Sequence, residues 1–278
     1  MDQAVHTVRR GRQGVRDTAE VRAGLRAVDV VAGYDRRAPI VRDASITVAP
    51  SEAVGMFGPS GCGKSTLARV LAMVHVPYGG AVFVDGDRVG RWRFAAAREL
   101  RTRVGVLFQQ PRLSVDPRLR LRDVIAEPLR ATGRARETAD LVPALAEEVG
   151  LTGELLGRRP HEVSDGQLQR ACLARALVLR PRYLVCDEMT SMLDASTTAA
   201  LVGVVERYRA REGAGLLAVS HDPVLLDRWC DRVIDYPGGP GTRGSGLADE
   251  AADRPERPRG DDDPTPSGAK LAAPTRTS

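Results

Sequence analysis

The chain has 278 residues, 42% of them hydrophobic, which suits one large domain or two small ones with a real core and excludes a chain disordered throughout. Its 41 basic and 36 acidic residues leave a net charge of +5. The arginines are spread along the chain and mixed with acids, and aromatics are only 4%, so no dedicated nucleic-acid face or base-stacking platform is expected.

Residues 1–24 are polar, Arg-rich and without periodicity, and read as a flexible N-terminal segment. Arg9, Arg10 and Arg12 have no apolar stretch behind them, so no signal peptide is expected. Strands are predicted at 26–31, 44–48, 53–57, 81–84, 104–108, 183–186, 215–219 and 232–236. The last four are short and apolar, as strands buried on both faces are. The longest uncharged run, residues 70–84, has 15 residues and is broken at Pro77-Tyr78-Gly79-Gly80. A membrane-spanning helix needs about 20 apolar residues, so the chain reads as soluble and intracellular.

From about 117 to 180 the pattern turns helical, with Leu119, Val124, Ile125 and Leu129, then Leu141, Leu145 and Val149, at three- and four-residue spacing. This predicts an α/β core with a helical insertion over about 110–180 between two of its strands. Residues 237–278 are rich in Pro and small residues and contain Asp261-Asp262-Asp263, which predicts a disordered tail and leaves 25–236 as the structured domain. Cys62, Cys172, Cys186 and Cys230 form no C-x-x-C pair and read as buried free thiols.

Chemistry enters at residue 58. The strand ending at Phe57 runs into Gly58-Pro59-Ser60-Gly61-Cys62-Gly63-Lys64-Ser65-Thr66, and a good helix former follows. This is G-x-x-x-x-G-K-[ST] in its required context. The glycines let backbone N–H groups wrap phosphates, Lys64 reaches the β- and γ-phosphates, and the Ser65 hydroxyl ligates Mg²⁺. A nucleotide site of this kind also needs an acid on a neighbouring strand, and Tyr183-Leu184-Val185-Cys186-Asp187-Glu188 supplies it. Asp187 sits at the C-terminal end of an apolar strand, where ligands bind in open α/β sheets, and Glu188 is placed to orient or deprotonate an attacking water.

Further along, Ser164-Asp165-Gly166-Gln167-Leu168-Gln169-Arg170 resembles the signature motif of ATP-binding cassette (ABC) ATPases, Leu-Ser-Gly-Gly-Gln. Other elements follow in family order. Phe108-Gln109-Gln110-Pro111 resembles the Q-loop, Ser191-Met192-Leu193-Asp194 the D-loop, Val219-Ser220-His221-Asp222 the switch histidine, and Tyr34 the adenine-stacking aromatic. The resemblance implies an α/β P-loop ABC ATPase core with an inserted helical subdomain and a small antiparallel β subdomain. It also implies ATP and Mg²⁺ as ligands, with Ser65, Gln109 and Asp187 on the metal and Lys64, Glu188 and His221 as catalytic residues. Residues 58–66, Tyr34 and Asp194 would meet nucleotide. Ser164, Asp165, Gly166 and Gln167 would meet the ATP of a second cassette in a head-to-tail dimer, homo- or heterodimeric.

Leu113-Ser114-Val115-Asp116-Pro117 and Val124-Ile125-Ala126-Glu127-Pro128-Leu129 look like the oligopeptide, dipeptide and nickel importer group. That likeness implies transmembrane permease subunits as partners, docked on residues 109–160, and an external substrate-binding protein acting through them. It implies a peripheral place on the cytoplasmic face of the cell membrane. An ABC exporter subunit, or a non-transport ABC ATPase working on nucleic acid or ribosomes, stays open as the alternative. Three positions depart from the pattern. Met189 replaces a proline, the chain after Tyr236 lacks the extension often seen in oligopeptide-type subunits, and Asp165 stands where the family has glycine. Like charges about 5 Å apart at an effective dielectric of 20 repel by roughly 3 kcal/mol, so either Asp165 turns to solvent or the site made with this signature is weakened; the second is expected.

Overall fold

The computed structural model describes residues 23–189 and 193–236. Most of the expected flexible segment (1–24) and all of the expected tail (237–278) therefore lie outside the described residues. Two sheets form the frame. The parallel one has five strands in the order β6-β7-β8-β3-β9, where β3 is Ala53–Phe57, β6 Val104–Leu107, β7 Tyr183–Asp187, β8 Gly215–Val219 and β9 Arg232–Asp235. The antiparallel one runs β2-β1-β4-β5, with β1 Leu25–Ala32, β2 Val41–Val48, β4 Gly79–Val84 and β5 Asp87–Arg88.

Every residue of β7 and β8 is buried, as strands covered on both faces must be. Alternate side chains serve two cores. Leu184, Cys186, Leu216 and Ala218 face one apolar cluster, while Tyr183, Val185, Leu217 and Val219 face the other. The second cluster also holds Leu67, Ala68, Val70 and Leu71 of helix α1 (Lys64–Leu71) and the inner faces of β1, β2 and β4. Helix α1 is thus clasped between the two sheets. Strand β9 departs from the expected two-sided burial. It pairs with β3 alone, at the edge of the sheet, and the charged residues at its two ends, Arg232 and Asp235, suit that exposed place.

After the short helix α2 (Arg98–Arg101) and β6, the chain between β6 and β7 holds helices and no strand: α3 (Leu121–Ala131), α4 (Thr138–Glu148) and α5 (Asp165–Leu177). Leu121, Ile125 and Leu129 of α3, buried along with Val124, join Leu168, Ala171 and Cys172 of α5 in the first cluster. Helices α6 (Ala195–Glu212) and α7 (Pro223–Trp229) cover the same side of the parallel sheet. Cys62, Cys172 and Cys186 are buried free thiols as expected, while Cys230 is only partly buried. Among the described residues, no helix is long and apolar enough to cross a membrane.

Gly80 is where the antiparallel sheet has no slack. Its φ is +82°, and a Cβ there would come within 2.4 Å of the Asp29 carbonyl oxygen and 2.6 Å of that of Val28. We expect Gly80→Ala to destabilise the fold by about 3 kcal/mol. Thermal unfolding should show a midpoint lower by roughly 6–12 °C. Gly90→Ala, where an added methyl meets open space, should leave the midpoint within about 1 °C in the same measurement.

Candidate nucleotide site

The loop 58–63 joins β3 to α1 and turns through positive φ at Gly58 (+153°), Gly61 (+79°) and Gly63 (+106°). Added methyls at Gly58 and Gly63 would strike Tyr236 O at 2.5 Å and the Val41 side chain at 3.0 Å, whereas Gly61 faces open space. The loop is therefore anchored at both ends and open at its crown, where exposed Pro59 and Ser60 also lie. Cys62 is packed inward, with Sγ 3.6 Å from Tyr236 O. Thr66 is buried in the first turn of α1.

Lys64 is buried, and its Nζ donates to Gly58 O and Pro59 O, both at 2.7 Å. Among the described residues it makes no ion pair within 4.0 Å, so its charge is held by neutral groups with Asp187 acting only at longer range, and it is suited to an incoming anion. Next to it, Ser65 Oγ donates to Asp187 Oδ1 at 2.7 Å. Asp187 is 2% exposed, and burial raises its carboxyl above the usual carboxylate range despite the Ser65 hydrogen bond and the nearby Arg69 charge. A desolvated carboxylate converging with a hydroxyl is an oxygen set that fits Mg²⁺.

Glu188 follows β7 with φ +48°, a conformation rare outside glycine, and its N–H donates to Val219 O at 2.9 Å. Its Oε2 accepts from Gln109 Nε2 at 2.8 Å and lies 4.0 Å from His221 Nδ1. The three side chains come from the C-terminal ends of β6, β7 and β8, so the sheet itself gathers them. Asp222, beside His221, caps α7 by accepting from Val224 N and Leu225 N. Tyr34 is 66% exposed, and its hydroxyl accepts from Arg69 Nη1 at 2.7 Å while its ring meets His75 edge-on.

The residues of the signature-like segment lie together at the start of α5. Ser164 Oγ accepts from Gln167 N at 3.3 Å and Gln167 Oε1 accepts from Ser164 N at 3.0 Å, a capping box that fixes the first turn. A methyl at Gly166 would come 3.3 Å from Thr197 Cγ2. Among the described residues, no hydrogen bond or ion pair joins 164–167 to the 58–66 loop. Asp165 turns out to have a cation: Arg112 Nε lies 2.7 Å from its Oδ1. The repulsion expected from the carboxylate is therefore offset in part by this guanidinium. Asp194, expected to meet nucleotide, caps α6. It accepts from Thr197 N, Ser196 Oγ and Thr197 Oγ1 at 2.7–2.8 Å, bonds that hold its carboxyl well below the usual range. Ser191 and Met192 of that motif lie outside the described residues.

Sequence reasoning missed Arg112, Arg69 and Gln169. Gln169 is buried in α5 and its Nε2 donates to Phe108 O at 3.3 Å and Met189 O at 3.2 Å, the carbonyls beside Gln109 and Glu188. The acid at 165 was the available signal for Arg112, since a carboxylate out of place asks for a counter-charge.

The model of the family described as ABC transporter matches residues 41–191. The chain belongs to the ABC transporter family. It is an ATP-binding ATPase of that family, on the α/β P-loop fold expected from the sequence. It is 32% identical to the nickel import ATP-binding protein NikE of Escherichia coli over 209 residues, 74% of this chain and 78% of that protein. It is 37% identical to the oligopeptide transport ATP-binding protein OppF of Salmonella typhimurium over 187 residues, 66% of this chain and 56% of that one. The glutathione import ATP-binding protein GsiA of Pectobacterium atrosepticum is 37% identical over 206 residues, 73% of this chain and 33% of that one. A dimeric ATP-binding cassette bound to ADP and Pi in a post-hydrolysis state shares the fold. Its TM-score is 0.68 at 24% identity, over 76% of this chain and 94% of that one.

Burial of Asp187 has a measurable consequence. Because its folded value is raised, the native state holds the proton more tightly than the unfolded chain. Stability of the nucleotide-free protein therefore falls as pH rises from about 4 through that raised value. Asp187→Asn should flatten that dependence and raise the midpoint at pH 7 by ~2–4 °C in calorimetry, about 1 kcal/mol.

Proposed function

We propose that this chain is the ATP-hydrolysing subunit of a membrane importer for a small solute such as a peptide or nickel. The observation that carries the reading is the Glu188 carboxylate, held by Gln109 at the sheet edge next to the buried Ser65–Asp187 pair and the Lys64 loop. The names of its relatives support import, since nickel, oligopeptide and glutathione transport each appear among them.

The loop amides of 58–66 and the Lys64 ammonium take the β- and γ-phosphates, with the start of α1 adding its partial positive charge. Tyr34 supplies the face on which adenine stacks. Ser65, Asp187 and Gln109 hold Mg²⁺, which when bound offsets charge on the phosphate oxygens. Glu188 accepts the proton of the water that attacks the γ-phosphorus as the bond to the ADP oxygen breaks, and His221 steadies that water and the γ-phosphate. Ser164, Asp165, Gly166 and Gln167 close on the nucleotide of a second ATPase subunit, because they lie apart from this chain's own phosphate loop. Permease subunits dock on the helical segment after Gln109, an external binding protein delivers the solute to them, and the ATPase sits on the cytoplasmic face. Nucleic acid has no part in it.

Glu188→Gln should lower ATP turnover by about 10²–10⁴-fold, the usual share of a general base, with ATP affinity kept within roughly threefold. Lys64→Ala should lose nucleotide binding itself. Hydrolysis that survives Glu188→Gln would overturn the assignment of the base. Purification of the tagged chain from its native membranes should recover multi-span permeases, and recovery of ribosomes or DNA instead would overturn transport.

A further inference from the structure

Arg112 lies in the turn Pro111–Ser114, three residues past Gln109. Its planar fork of donors reaches three points of one short stretch. Nε meets Asp165 Oδ1 at 2.7 Å, Nη1 donates to Pro160 O at 2.7 Å, and Nη2 donates to Val163 O at 3.1 Å. Pro160 and Val163 are buried, so the two carbonyls are presented by anchored backbone. The turn is tied to α5 as well, through Arg175 Nη1 donating to Ser114 O at 2.6 Å. Both side chains of the Arg112–Asp165 pair are 46% exposed, and a pair so open adds little to stability. Its consequence lies in where the charges sit. Asp165 is the first residue of α5, where free N–H groups and the helix dipole attract anions, and a lone carboxylate there competes for the same field.

We propose that Arg112 is a positioning residue for the ATP site of a second cassette. It neutralises Asp165 and holds 160–165, so that the first turn of α5 accepts the γ-phosphate presented by the partner. This rests on the reading above that residues 164–167 complete a nucleotide site on another subunit. Because the guanidinium belongs to the segment that follows Gln109, movement of that segment uncovers the Asp165 charge and disarms the partner's site. The pair makes the signature-like turn answer to the Q-loop segment.

The test is ATP turnover by the membrane complex purified through the full chain, comparing Arg112→Ala, Asp165→Asn and the double variant. Arg112→Ala should lower kcat about tenfold with KM for ATP within roughly twofold, since the partner's own phosphate loop is untouched. Adding Asp165→Asn should restore kcat to within about threefold of wild type. Asp165→Asn alone keeps both carbonyl contacts of Arg112 and is the reference against which the double variant is read. A double variant as slow as Arg112→Ala would overturn the proposal in favour of a purely structural role. So would an Arg112→Ala complex at full rate. Lys64→Ala in the same complex separates the two levels: turnover left wholly unchanged by it sinks the ATPase assignment to this loop, whatever Arg112 does.

Discussion

The hydrogen bond from Ser65 Oγ to Asp187 Oδ1, 2.7 Å long and buried, ties the two halves of the nucleotide machinery together. Ser65 opens the helix that follows the phosphate loop, and Asp187 ends the central strand β7. That contact requires α1 to lie directly over the sheet, which is what its clasp between the parallel and antiparallel sheets provides. It also requires β7 to run through the middle of the protein, buried residue by residue, so that an acid at its end is stripped of water. The raised carboxyl is the physical signature of that arrangement. The fold keeps an under-compensated charge in its interior at some cost to stability, which a divalent cation bound as proposed would relieve.

The same logic explains how distant residues come to one edge. Parallel strands all present their C-terminal ends on one side, so Gln109, Glu188 and His221, which lie far apart in sequence, become neighbours without any special connection. The left-handed backbone at Glu188 is held by its N–H bond to Val219 O on the adjacent strand. Gln169 adds a second restraint from the other direction. It reaches from α5 to the carbonyls of Phe108 and Met189, so the helix that begins with the signature-like turn also sets the height of Gln109 and Glu188. Among the described residues its Oε1 has no hydrogen-bond partner.

Local chemistry was legible in the sequence wherever the partners are contiguous. The strand, loop, lysine and helix of 53–71 lie in one unbroken run, and the apolar stretch before Asp187-Glu188 announces a buried strand ending in acids. Long-range charge pairing was not legible. Arg112 and Asp165 are 53 positions apart, and no local pattern says that one of many arginines meets one of many acids. Asp165 alone looked like a liability, whereas with its guanidinium it is a neutral fixture. The capping role of Asp194 was legible locally, since an acid followed by Ala195-Ser196-Thr197 is a helix-capping signal in its own right. Asp222 before Pro223 carries the same signal, and the structure makes a cap of it too. Strand β9 reads correctly once the charged residues at its two ends, Arg232 and Asp235, are weighed over its mean hydropathy.

The division of labour within one chain follows from where helix beginnings point. Helix α1 begins at the phosphate loop and helix α5 begins at the capping box of Ser164 and Gln167. No hydrogen bond or ion pair among the described residues joins the two beginnings. Each has the free N–H groups and dipole that favour an anion. Only the first has a buried lysine and a desolvated acid beside it, which together suit a metal-bound polyphosphate. The second has an ion pair of zero net charge, so it can receive phosphate but lacks the groups to bind a nucleotide unaided. On the proposed function, one half-site and one receiving surface leave a single chain unfinished, and a second ATPase subunit set head to tail completes both. On the same reading, the Arg112–Asp165 pair sets whether the receiving surface attracts the partner's phosphate or repels it.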